Sequence, residues 1–143
     1  MKFIKIETNH TKEQIDSLSA SMNCVQSDKI ESIYKQISYV KFVNSDGFLC
    51  VFYVIPDRLV DELVGFYTSM SINFKYEDLT RDALWRRINS SEFGLTPDEY
   101  SQLDYILEKF IDDNIDMYII LDKIFEMGED SLTEKDKLVL QSY

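Results

Sequence analysis

The sequence predicts an α+β fold: a small, mostly antiparallel sheet of about four strands, with a central hairpin over 38–55, packed with helices and followed by an all-helical C-terminal third. Three observations predict it. Strand-like runs fall before residue 80, helical spacing of apolar residues prevails after it, and Asp46-Gly47 suits a tight turn between the two most β-like runs. The order of elements is segregated and does not alternate as in a doubly wound parallel sheet.

In Lys2–Glu7, Phe3, Ile4 and Ile6 stand among Lys2, Lys5 and Glu7, as in a short first strand. Thr11 and Gln14 make a capping-box pattern, with Ile15, Leu18 and Met22 following at helical spacing. Ser27 is expected to cap a second helix, because Ile30, Ile33, Tyr34 and Ile37 recur at i, i+3, i+4 and i+7. Ser38–Val43 and Phe48–Ile55 are rich in aromatic and β-branched residues and flank Asn44–Gly47. The second run is apolar on both faces, so a central strand covered on both sides is expected. Pro56-Asp57 opens a helix with Leu59, Leu63, Phe66 and Met70 in one stripe. Ser71–Glu77 alternates, with Ile72, Phe74 and Tyr76 on one face, as in a half-buried edge strand.

Thr80 is placed to cap a helix over 81–89, and 89–95 reads as a loop. Thr96-Pro97-Asp98-Glu99 combines a cap, a first-turn proline and an N3 glutamate, the strongest helix start in the chain. Tyr100, Leu103, Ile106, Leu107, Phe110 and Ile111 supply its apolar face. Residues 116–127 read as a further helix ended by Gly128, although 117–121 alone also suit a strand. Thr133 with Asp136 opens a last short helix toward Tyr143.

A chain of 143 residues fits one α+β domain, with the sheet in 1–91 and an acidic helical part in 92–143. A hydrophobic content of 45% argues against disorder. The longest apolar run, Phe48–Ile55, is far short of the roughly 20 residues a bilayer-spanning helix needs, so no membrane partner is expected. The N-terminus turns polar within a few residues, so no signal peptide is expected and a cytosolic address is the default. Cys24 and Cys50 are then expected to be reduced, buried, structural thiols.

Charge is distributed unevenly. Residues 1–91 carry 12 Asp/Glu against 11 Lys/Arg, whereas residues 92–143 carry 14 against 4. Nearly the whole imbalance of −11 is on the last third, which predicts an electronegative helical surface. Such a surface repels phosphates, and Arg81, Arg86 and Arg87 are too few for a nucleic-acid footprint.

No catalytic signature stands out. His10 is the single histidine and sits before the first helical cap, with nothing placing it beside either cysteine. The four glycines are scattered singly, so there is no phosphate loop, and His/Cys zinc sites are excluded by count. Asp112-Asp113-Asn114-Ile115-Asp116 matches the first half of a calcium loop but continues with Met117 in place of the turn glycine and Lys123 in place of the closing glutamate. It reads as a polar junction between helices. No metal site, cofactor or catalytic residue is assigned.

Asp104, Glu108, Asp112 and Asp116 recur every four residues, forming one acidic row beside the apolar face of the helix that starts at Thr96. Three readings of such a row compete: a solvated face, a docking strip for a basic partner, and a glycosidase-like acid/base pair, which a row on one helix does not define. Ile119 falls among Asp122, Lys123 and Glu126 and is expected to be an exposed apolar contact. Glu129 and Asp130 stand at the rim. Trp85 reads as a boundary-core residue, with Arg81 placed to stack on it, and is kept as a candidate interface anchor because Trp and Arg are enriched at hot spots.

Asp82-Ala83-Leu84-Trp85, within Tyr76–Ile88, is similar to a short motif of barstar-type ribonuclease inhibitors, which are small, acidic and intracellular. The Arg86-Arg87 that follows, and the helical tail, depart from that family, so neither its fold nor its binding residues are carried over. The residues themselves lead to a non-enzymatic, cytosolic, acidic protein-binding protein. Its most economical form is an immunity- or antitoxin-like inhibitor that occludes a basic toxin or nuclease through Asp104, Glu108, Asp112, Asp116, Ile119, Glu129, Asp130 and Trp85. Three alternatives remain open: a nucleic-acid-mimic anti-defence protein, a carboxylate-only metal-dependent enzyme, and a plain structural subunit whose charge provides solubility only.

Overall fold

The computed structural model describes residues 1–143 and is an α+β structure in which one antiparallel sheet separates two groups of helices. The strands are β1 (Lys2–Thr8), β2 (Ser38–Val43), β3 (Leu49–Ile55) and β4 (Phe74–Asp78), in the order β2-β3-β1-β4. The helices are α1 (Lys12–Ala20), α2 (Cys24–Tyr34), α3 (Asp57–Ser69), α4 (Thr80–Leu84), α5 (Pro97–Asn114), α6 (Met117–Met127) and α7 (Glu134–Gln141).

Strand register sorts the side chains between two cores. Ile4 lies opposite Tyr53 and Ile6 opposite Val51, and these four point toward α2 and α3. One residue out of step, Phe3 lies opposite Val54, and Phe52 stacks on Phe42 of β2; these face α4 and α5. β3 must therefore be apolar on both sides, which is why all seven of its residues are buried, whereas β1 places Lys5 and Glu7 on the same face as Phe3. In the first core the hydroxyls of Tyr34, Tyr53 and Tyr67 form a chain, 3.1 Å and 2.6 Å apart. That pairing satisfies polar atoms which burial would otherwise strand, and burial raises the pKa of all three phenols.

The expected elements are present, with local corrections. Capping boxes hold the starts of α1, α5 and α7 at Thr11, Thr96 and Thr133. The second helix starts earlier than expected: Asn23 caps it in a box with Gln26, so Ser27 lies inside it and Cys24 is exposed. The strand expected over 71–77 begins at Phe74, because Ser71 takes a left-handed φ of 58° that breaks extension. The helix expected over 81–89 is one short turn, α4. Thr80 is within it; its amide donates to Asp78, while its hydroxyl accepts from the Phe3 amide at 3.0 Å and so ties α4 to the sheet. Arg86, at φ 58°, then turns the chain away. Tyr100, assigned to the apolar face of α5, is on the exposed side. Residues 117–121 belong to a helix, α6, and not to a strand.

Candidate functional site

The acidic third is built on α5, α6 and α7; α5 covers the sheet through Leu103, Phe110 and Ile111, while α6 buries Ile120 and packs on α7. Fixing those residues inward turns Asp104, Tyr105 and Asp112 outward, and a shallow depression of about 440 Å³ runs over Asp104, Tyr105, Glu108 and Asp112. The row has only three members. Helix α5 ends at Asn114 and Ile115 is extended, so Asp116 leaves the row and becomes the N-cap of α6, accepting from the Ile119 amide at 2.9 Å. The junction reading of 112–116 describes this arrangement. No group of three or more His, Cys, Asp or Glu side chains is placed to hold a metal ion.

Glu108, in the middle of the row, is not free. It accepts from Lys135 Nζ at 2.9 Å and from Arg86 Nη1 at 3.0 Å. The Lys135 hydrogen bond first, and then the Arg86 charge, hold its carboxyl below the ordinary range against the opposing effect of burial. Asp104 and Asp112 carry no ion pair, and both are exposed. The row thus offers one free carboxylate on each side of a neutralised one.

Behind it lies a second, buried ion pair. Lys123 Nζ donates to Asp136 Oδ2 at 2.9 Å, with the two residues 3% and 0% exposed. Burial pushes the Asp136 carboxyl up, but hydrogen bonds from Lys123 and from the Thr133 amide, together with the Lys123 charge, outweigh it and lower the pKa. Asp136 is therefore helix cap and counter-ion at once. Arg86 Nε faces its other oxygen, Oδ1, at 4.0 Å, too long for a hydrogen bond.

Trp85 and Ile119 are brought together, but as support. Trp85 is 3% exposed; its Nε1 donates to the Ile119 carbonyl at 3.3 Å, and the Arg81 guanidinium stacks over its ring at 4.1 Å while pairing with Glu126. So covered a ring is a boundary-core residue and offers a partner little surface, which corrects its use as an accessible anchor. Ile119 is likewise half-buried and packed against the second core, not exposed as expected. Glu129 and Asp130 stand exposed in the short 3-10 turn after Gly128. His10, far from this region, accepts through Nε2 from the Asn73 amide at 3.0 Å and meets neither cysteine. The Cys50 thiol is pushed up to about 11, chiefly by burial, so it is a poor nucleophile.

No known protein family, characterised protein or solved structure matches the chain.

The structure also exposes residues that spacing did not single out. Tyr118, Leu121 and Phe125 form a stripe on the outer side of α6, with Phe125 91% exposed. The sequence did hold a signal. Eight of the eleven residues of α6 are apolar, more than one inward-facing stripe can bury. No helix of the chain is long and apolar enough to cross a membrane.

Proposed function

We propose that this chain is a cytosolic, non-enzymatic protein whose acidic helical face binds a basic protein, in the manner of an immunity- or antitoxin-like inhibitor that occludes a cationic toxin or nuclease. One observation carries the reading: 14 Asp/Glu against 4 Lys/Arg over 92–143, with Lys123 and Lys135 themselves spent on Asp136 and Glu108. What remains facing solvent is predominantly negative, with Asp104, Asp112, Asp113, Asp122, Glu129 and Asp130 exposed against Lys109 and Lys137. A field of that sign speeds encounter with a cationic surface, and close contact then blocks it.

The test is co-expression with the product of an adjacent open reading frame. That product, induced alone, is expected to arrest growth; this chain is expected to relieve the arrest and to bind it with an affinity that falls as salt rises. Asp104→Lys with Asp112→Lys, which touches only exposed carboxylates, is expected to weaken binding at least about tenfold, mainly through slower association. A non-toxic neighbour, or binding indifferent both to salt and to the double reversal, overturns the proposal.

A further inference from the structure

The outer face of α6 is where apolar exposure and negative charge meet. Tyr118, Leu121 and Phe125 stand at i, i+3 and i+7, so they share one side of the helix and span about 10 Å of its length. They are 71%, 46% and 91% exposed. The inward side of the same helix is already occupied, by Ile120, which is 1% exposed, and by Lys123 against Asp136. Docking α6 to the rest of the molecule therefore does not use the stripe, and a side chain as large as phenylalanine is left almost wholly in water.

The charges around the stripe select its occupant. Residues 116–130 hold five carboxylates and a single cation, Lys123, and that cation is turned inward. Asp116 lies at one end of the stripe, Asp122 beside it, and Glu129 and Asp130 beyond the other end. On the Asp122 side the surface falls into a cleft of about 450 Å³, where Asp78, paired with Lys2, Arg81, paired with Glu126, and the unpaired Asp122 flank Leu84 and Ile119. A second copy of the chain laid on this face would bring like charges together. An anionic lipid surface would be repelled by the same carboxylates. A cationic segment meets neither obstacle.

We propose that the Tyr118–Leu121–Phe125 face of α6 docks a cationic amphipathic helix of a partner protein. The partner's apolar stripe would take Phe125 and Tyr118 as knobs, and its flanking Lys or Arg side chains would reach Asp122, Glu129 and Asp130. This rests on the basic-partner reading above and shifts the anchoring contact from the α5 row to α6.

The probe is a fluorescein-labelled peptide of about 20 residues, Leu recurring at helical spacing between flanks of Lys, read by anisotropy at about 150 mM salt. A scrambled peptide of equal composition is the control. Saturable binding of the patterned peptide is expected. Phe125→Ser, and separately Tyr118→Ser with Leu121→Ser, are expected to weaken it at least about tenfold. Both sets of side chains are exposed, so the fold is retained, which circular dichroism checks. Asp104→Lys with Asp112→Lys is expected to change it less than about threefold. Loss on that double reversal with indifference to Phe125→Ser overturns the α6 site and leaves the acidic-surface reading standing. Absent or non-saturable binding, or equal binding of the scrambled peptide, also overturns the site, while growth rescue judges the function separately. A dimer in sedimentation that Phe125→Ser dissolves assigns the face to a second copy, and sedimentation with anionic vesicles assigns it to lipid; either result overturns the proposal.

Discussion

Single side chains in this protein take their roles from what surrounds them more than from their type. Cys24 and Cys50 have the same chemistry, yet one is exposed in the first turn of α2 and the other is enclosed by β2, β1 and the second core. Burial raises the Cys50 thiol to about 11. One thiol per chain is therefore expected to react with a disulfide reagent in the native state, within minutes at mildly alkaline pH, and the second only on unfolding. Cys24→Ser is expected to abolish the fast phase. Two fast thiols, or none, would contradict the burial of Cys50 or the exposure of Cys24. Phe125 and Phe110 make the same contrast among aromatics: 91% exposed on α6, and 1% exposed against Phe3.

At the scale of elements, α7 is held by charge as much as by apolar contact. Asp136 caps it, and Lys123 of α6 and Arg86 beyond α4 converge on the same carboxylate. A buried pair of this kind costs desolvation to assemble, but removing one member leaves the other uncompensated. Lys123→Met is expected to destabilise the protein by about 3–5 kcal/mol in urea unfolding, and Lys123→Met with Asp136→Leu to recover much of the loss. The Asp136 carboxyl has a lower pKa folded than unfolded, so its stabilisation is full above the unfolded value near 4 and is lost as pH falls through the folded value. Asp136→Asn is expected to flatten that acid limb. An unchanged slope would show that the pair does not couple α7 to the rest. Helix α5 meets α7 through Glu108 and Lys135, so the middle of the acidic row also serves this joint.

For the molecule as a whole, one sheet carries the packing and one end carries the field. Ten net negative charges on the last 52 residues repel one another across α5, α6 and α7. Raising NaCl from about 10 to 150 mM shortens the Debye length from roughly 30 to 8 Å and is expected to raise Tm by a few degrees; a fall would mean that screened ion pairs outweigh the repulsion. Much of the architecture was legible in the chain. Fully apolar 49–55 could only be a covered central strand, Asp46-Gly47 turned the hairpin, and the Thr11, Thr96 and Thr133 boxes marked helix starts, because each depends on neighbours a few residues away. The acidic bias of the helical end was equally legible, being a matter of counting. Tertiary structure decided which of those charges remain free and which apolar groups remain wet. Glu108 is neutralised by Arg86, 22 residues away, and Lys135, 27 residues away; Trp85 and Ile119 cover each other across 34 residues; Tyr118, Leu121 and Phe125 are left out because Ile120 and Lys123 claim the inner face of α6. Periodicity tells which side chains share a helix face, but the choice of inner face depends on competition among distant groups, which local spacing does not encode.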